Sequence, residues 1–399
     1  MKKIIAGLMA LLVSNLVSGS NESENLESNS FSATGYASVT GIKTNYNSYI
    51  PGTDNRYGTA TNSEFGVNAS YDVTNHVGVY MGLYYNRAQD PDSIFDYGFV
   101  DFSTSLYDLE SAFGVRLGKV KNTYGFFNDS RVNPKTRPQI ILPQSVYFDA
   151  FNKFASRSTG AQFYFNDTLK CGWQLELTAG VSQTRLTSTQ STEIKEVYYV
   201  VPNLPSSFSS VSPSYYAQIQ LSTSRWQFQY DYSPLKWKYT NDLPFPMPYA
   251  DHQLNMNSHQ FGVRYHGDDW TATSEAFYTR ATFDRQGPGL MPATSEVLGY
   301  YVMGEYDFTA ALQGYTSFSR FKPLEAGAKA GLKQIGLDPL NAEYKDFTVG
   351  AAYKFNKSWM LKGESHFVKG YIVLNDAFTP EGDKKSPWQM HAISLIYQW

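Results

Sequence analysis

With a single cysteine, Cys171, in 399 residues, the chain can form no internal disulfide and must hold together without covalent staples of its own. Long apolar runs are also missing: beyond the first twenty residues nothing approaches the roughly 18 consecutive apolar residues that a membrane-crossing helix needs. Charge is sparse at 17% and nearly balanced, so no nucleic-acid-binding surface is written into it. There is no Gly-rich phosphate loop, no His-Glu-x-x-His segment and no paired-cysteine motif. No cofactor or resident metal is expected.

What the chain has in abundance is aromatic: 31 Tyr and 26 Phe, with a mean hydropathy of -0.39. That polar average argues against a helical membrane protein. It suits a wall of strands with one wet and one apolar face, because successive strand residues point to opposite sides.

Lys2 and Lys3 precede an apolar run from Ile4 to about Val17, followed by Ser18, Gly19 and Ser20. This reads as a secretory signal peptide over 1–20. Residues 21–30, with Glu22, Glu24 and Glu27 and no apolar pattern, are expected to be a disordered periplasmic spacer. Removing the signal leaves 31 basic against 36 acidic residues.

From Phe31 onward the sequence supplies sixteen candidate strands. Phe65, Val67, Ala69 and Tyr71 alternate with Gly66, Asn68, Ser70 and Asp72. Trp226, Phe228, Tyr230 and Tyr232 alternate with Gln227, Gln229 and Asp231. The last strand places His391, Ile393, Leu395, Tyr397 and Trp399 on one face against Ala392, Ser394 and Gln398, with polar partners expected on the lumen side throughout.

Seven short turns, at 72–76, 106–111, 166–172, 222–225, 266–269, 307–311 and 355–358, alternate with eight longer loops near 44–62, 87–97, 122–158, 187–212, 239–257, 282–295, 322–344 and 372–388. Short turns on one rim and long loops on the other predict an all-β fold, a transmembrane antiparallel up-and-down β-barrel over 31–399 with both termini periplasmic. Cys171 falls in the third short turn. A soluble sandwich or propeller would explain neither the signal nor the alternation of short and long connections.

Sixteen strands enclose an aqueous channel, whereas about eight are filled by side chains. The longest external loop, 122–158, is expected to fold into the lumen. It carries Arg131, Lys135, Arg137, Lys153 and Arg157 against Asp129 and Asp149, a balance of +3. Fixed charge in a narrow pore attracts solutes of opposite sign, so these five residues are expected to form a constriction that favours anions. The alternative is that they pair with wall carboxylates. Asp101, Arg116, Glu176, Arg264, Glu275, Lys362, Glu364 and His366 are expected on the pore wall.

Some barrels are hydrolases, but Ser365 faces away from Glu364 and His366, which breaks a Ser-His-acid arrangement there. Glu364 and His366 read as paired wall charges rather than a metal site, having no third ligand. A closed-lumen hydrolase or structural anchor stays open as the competing class.

The plan as a whole, with the stretch Arg116, Gly118, Lys119, Lys121, then Arg137-Pro138, Ile141-Leu142-Pro143-Gln144-Ser145, Tyr147-Phe148-Asp149 and later Lys362, Glu364 and His366, resembles the bacterial outer-membrane porins. These residues look like those of a porin-like group of Gram-negative proteobacteria whose substrates are mostly unassigned. The resemblance implies a homotrimeric diffusion channel for small hydrophilic solutes or ions, set in outer-membrane lipid, with loop 122–158 in the lumen. It further implies that Tyr397 and the terminal Trp399 are read by the barrel-assembly machinery. The chain ends in Trp where many porins end in Phe.

Overall fold

The structure, a computed structural model, describes residues 30–49, 57–86, 94–106, 111–149, 156–183, 206–210, 213–241, 252–285, 293–324, 333, 338–374, 379 and 381–399. The expected signal peptide, nearly all of the spacer, and Lys153 lie outside the described residues.

Along the chain the wall strands are β1 (Ser30–Thr44), β2 (Glu64–Thr74), β3 (Val77–Asn86), β4 (Phe95–Leu106), β5 (Ser111–Lys121), β6 (Arg157–Thr168) and β7 (Gln174–Gln183). Then comes β8, in two pieces, Ser206–Ser210 and Ser214–Ser222. The rest are β9 (Trp226–Asn241), β10 (His252–His266), β11 (Trp270–Arg285), β12 (Ala293–Asp307), β13 (Leu312–Pro323), β14 (Tyr344–Lys354), β15 (Trp359–Lys369) and β16 (Trp388–Gln398).

Both pieces of β8 pair with β9: Ser222 lies opposite Gln227 and Ser210 opposite Trp237, so ten steps along β9 match twelve along β8. The two pieces are therefore parts of one wall strand, not two strands. Each strand is antiparallel to the next, and β1 pairs with both β2 (Ala37 opposite Phe65) and β16 (Ala37 opposite Tyr397). The sheet therefore closes as a sixteen-stranded up-and-down barrel with no free edge.

Closure is completed by the last residue. The Trp399 amide donates to the Gly35 carbonyl at 3.0 Å. An added Cβ on Gly35 would run into the Trp399 ring, so the glycine makes room for the terminal aromatic.

Alternation follows the expected sides. In β16, His391, Ile393 and Leu395 point out while Met390, Ala392, Ser394 and Ile396 are buried. Large apolar side chains such as Val79, Phe163, Phe261, Val302 and Val349 stand exposed on the outer face. A contiguous apolar band of that size is incompatible with water and marks the face that hydrocarbon covers. Near the short-turn rim it is bordered by close aromatic pairs, Trp226–Tyr265 (4.6 Å), Tyr265–Trp270 (4.9 Å) and Trp359–Tyr397 (4.7 Å).

Two expectations need correcting. The inner face is not polar throughout, since Leu254, Met256, Met303, Met360, Met390 and Ile396 are buried inside the barrel. The described part of the long loop, residues 122–149, brings the apolar surface that covers two of them, Met390 and Met303. Ile140 and Ile141 pack with Ile42, Tyr344, Val368, Trp388 and Met390, while Leu142, Val146 and Tyr147 pack with Phe277, Tyr301 and Met303.

The strands β9 to β12 also run 15–16 residues and take in much of what was read as loops near 239–257 and 282–295. Their upper outward residues, Lys236, Asn255 and Asn257 among them, are polar because this part of the wall rises beyond the apolar band. A reading that looks for apolar outer residues ends such strands too early.

Candidate functional site

Loop 122–149 crosses the interior and is hydrogen-bonded to the inner wall on several sides. Its first stretch meets β9 and β11: the Gly125 amide donates to Asp231 (3.1 Å) and the Phe126 amide to Glu275 (2.9 Å). Tyr147 donates its hydroxyl to the other Glu275 oxygen at 2.6 Å, and Tyr301 donates to the same carboxylate. Burial, followed by the Glu275 charge, raises the Tyr147 phenol well above its ordinary pKa and keeps it a donor.

Gly125 has φ +64°, where glycine costs least, and a Cβ there would meet Gln260, Tyr147 and Glu275. The chain can pass this close to the wall only without a side chain.

The middle of the loop is held from the other side. Arg137 forks onto Glu64 of β2, with its two terminal nitrogens at 3.0 and 2.5 Å from the two carboxylate oxygens, and Tyr84 donates to Glu64 at 2.6 Å. Burial opposes the Arg137 charge, but the adjacent carboxylate outweighs it and sets its pKa above the ordinary arginine value.

The Ile140 and Ile141 amides each donate to Glu364 of β15 at 2.8 Å, and Tyr315 donates to it at 3.0 Å. His366 lies between Glu364 (Nε2, 2.9 Å) and Asp346 (Nδ1, 2.8 Å), so both ring nitrogens face carboxylates and both are suited to donate. Lys362 donates to the Arg137 carbonyl, and Gln139 to Ser317 at 2.7 Å. At Gly299 a Cβ would collide with the Ser145 carbonyl.

The expected basic residues of the loop are therefore largely paired. Arg131 meets Asp149 at 2.5 Å, Arg137 meets Glu64, and Arg157 forms an ion pair with Asp96. Lys135 donates to the Lys357 carbonyl in the last short turn.

Of the expected wall residues, Glu275, Lys362 and Glu364 bear on the loop rather than on open space, and His366 meets the wall residues Glu364, Asp346 and Thr348. Arg264 lies over the Phe126 and Phe127 rings, at 4.4 and 4.9 Å from their centroids, and donates to Thr273. Tyr397 and Trp399 are on the outer face, 5.9 Å apart in a stacked pair.

Open space remains on the opposite side, against β3 to β8. A cavity of about 400 Å3 is bounded by the start of the loop (Asn122 to Asn128) and by Tyr80, Tyr97, Phe99, Asp101, Arg116, Lys121, Tyr164 and Glu176. A second of about 400 Å3 shares Tyr80, Asp101 and Tyr164 with it and continues to Asp72, Thr74 and Asn75 at the first short turn.

Arg116 sits at their junction, 3.3 Å from Asp101, 2.9 Å from Gln162, and 4.5 Å from the Tyr164 ring centroid. Tyr80 and Phe99 stack at 5.2 Å beside it. Glu176 and the Asp129 carboxylate accept no hydrogen bond among the described residues.

Glu64, Asp96, Asp231 and Asp346 were not singled out as partners from the sequence. Inward parity along β2, β4, β9 and β14 was the one signal available for them. It says which face a carboxylate occupies but not which loop atom comes to it.

No protein-family model matches the sequence, and no curated protein matches it. Solved structures do. The outer-membrane channel DcaP of Acinetobacter baumannii aligns with TM-score 0.57 at 12% identity, covering 94% of this chain and 99% of its own. OmpT of Vibrio cholerae gives 0.55 at 11% over 95% and 100%, and an anion-selective porin from Comamonas acidovorans 0.54 at 12% over 93% and 100%. What this chain shares with these outer-membrane proteins, across nearly its whole length, is the fold.

Proposed function

We propose that the protein is an outer-membrane porin through which small hydrophilic solutes and ions diffuse passively, and that loop 122–158 forms its constriction. The observation that carries this reading is the pair of joined cavities along β3 to β8, lined by polar and aromatic side chains and reaching the short-turn rim. The apolar outer band supports a position in lipid, and the signal-like pattern of the first twenty residues supports export from the cytoplasm. Both termini are then periplasmic. A homotrimer is the assembly that fits, and one similar structure, OmpT of Vibrio cholerae, has been solved in a trimer form. Tyr397 and Trp399, on the outer face at the closing seam, are assigned to recognition by the assembly machinery.

The pairing of Arg131, Arg137 and Arg157 changes the expected selectivity. Ion-paired arginines present little net charge to the passage. Among the described residues Arg116 and Lys121 line it against Asp72, Asp101, Asp129 and Glu176. We therefore assign the passage a weak cation preference in place of the anion preference that the loop's composition suggested.

Planar bilayers holding the purified protein between unequal KCl solutions test both parts. Discrete conductance steps with a reversal potential on the potassium side are expected. A chloride-side potential would restore the anion reading, and absence of steps would favour a closed-lumen anchor or hydrolase.

A further inference from the structure

On the outer face of β13, β14 and β15, two rows of directly opposed residues run side by side. Phe318 pairs with Phe347 and Phe347 with Phe367; two residues nearer the long-loop rim, Arg320 pairs with Lys345 and Lys345 with Lys369. The phenylalanines are exposed, as part of the apolar band. The three cations share their parity and so stand on the same outer face, at its upper edge. Lys322 follows Arg320 by two residues and adds a fourth.

Like charges directly opposite across strands repel, and a sheet normally avoids them. Here three occur in succession, and none forms an ion pair among the described residues. The Arg320 Nε, shielded from solvent, has no hydrogen-bond partner. The arrangement is thus an unsatisfied cationic row beside a row of aromatic rings, at the height where an apolar band gives way to headgroups.

We propose that this edge of the wall binds the phosphate headgroup of an anionic membrane lipid, with the acyl chains against Phe318, Phe347 and Phe367. Strands about 4.8 Å apart set the outer two cations roughly 10 Å from each other, a span that one or two phosphate groups can bridge. Arginine offers a fork to phosphate oxygens and the lysines supply point charges. Phosphate removes the mutual repulsion that the bare row carries. The proposal rests on the membrane placement given above.

The detergent-solubilised full chain is titrated with dioctanoyl phosphatidic acid, dioctanoyl phosphatidylcholine and inorganic phosphate, with bound molecules counted by native mass spectrometry. Phosphatidic acid is expected to bind at least tenfold more tightly than phosphatidylcholine. The variant R320Q/K345Q/K369Q is expected to lose that preference, and R320K/K345R/K369R to keep it.

No preference in the unaltered protein, or one that survives the triple glutamine substitution, overturns the proposal. Inorganic phosphate binding as tightly as the lipid overturns it in favour of a free-anion site. Disulfide-linked dimers of C171S/K345C in vesicles, with lipid preference absent, would assign the row to contact with a second copy.

Conductance of the same preparations reports the placement separately. Channels without a lipid preference sink this inference alone, whereas failure to insert sinks both.

Discussion

Arg137 and Glu64, 73 positions apart, meet inside the barrel as a two-pronged ion pair in which both side chains are buried (5% and 0% exposed). The pair joins the longest external loop to the second wall strand. Two more wall carboxylates, Glu275 and Glu364, do the same through loop backbone amides, so the loop's path is fixed by anions of the wall as much as by its own sequence.

Removing one partner of that pair should be costly. Glu64→Leu leaves the Arg137 charge buried and uncompensated, a loss of about 3–5 kcal/mol for a buried pair. The expected outcome is a lower temperature for the heat-induced shift in gel mobility together with larger, noisier conductance steps. The double variant E64L/R137M should recover a good part of the stability, and equal behaviour of the two would show that the pair does not hold the loop.

Glu364→Gln removes the anion that receives the Ile140 and Ile141 amides and faces His366. Trypsin should then cut the folded protein within the loop, after Arg131 or Lys135, at least tenfold faster than the unaltered protein; the Arg137–Pro138 bond resists trypsin in either case. Equal cleavage rates, followed by mass spectrometry of the fragments, would remove Glu364 as an anchor.

At Gly299 the wall and the Ser145 carbonyl approach so closely that a side chain has no room. Gly299→Val is expected to overpack this contact at about 1–3 kcal/mol and to displace the loop towards the open cavities, lowering single-channel conductance. A control at Gly304, where an added Cβ meets nothing within 4 Å, should leave conductance unchanged.

The charges that line the passage are open to direct test. D129N/E176Q should move the reversal potential towards chloride, because it removes two of the lining carboxylates and leaves Arg116 and Lys121. R131Q/D149N should change selectivity little, since it removes two opposite charges that already offset each other. The reverse order of effects would show that the loop arginines, not the wall carboxylates, face the permeating ions.

Trp399→Ala should lower the yield of folded barrel and weaken the seam between β1 and β16. Its ring fills the space that Gly35 leaves and lies 6.2 Å from Phe65, a contact worth about 0.5–1.5 kcal/mol beyond burial. Heat-modifiable mobility of the protein from membranes reads both effects.

Period-two alternation made the wall strands legible in the sequence, because lipid and lumen impose opposite demands on successive residues. It held for β16, from His391 to Leu395, and for Glu364 and His366, which point inward as their parity required. It failed where the outer face is wet, at Asn255 and Asn257, and where the inner face is apolar, at Met303 and Met390, because there the height of the wall or the loop supplies a different neighbour. Glu64 showed only its side of the sheet.

The sequence by itself determined an antiparallel barrel of about sixteen strands, with a short-turn rim and a long-loop rim. These follow from local periodicity and turn spacing, which depend on residues close along the chain. Only the tertiary structure decided which carboxylate neutralises Arg131, Arg137 or Arg157, on which side open space remains, and that Arg320, Lys345 and Lys369 stand in one row. Such juxtapositions join residues tens to hundreds of positions apart, and their charges add or cancel through distance in space, which no spacing along the chain records.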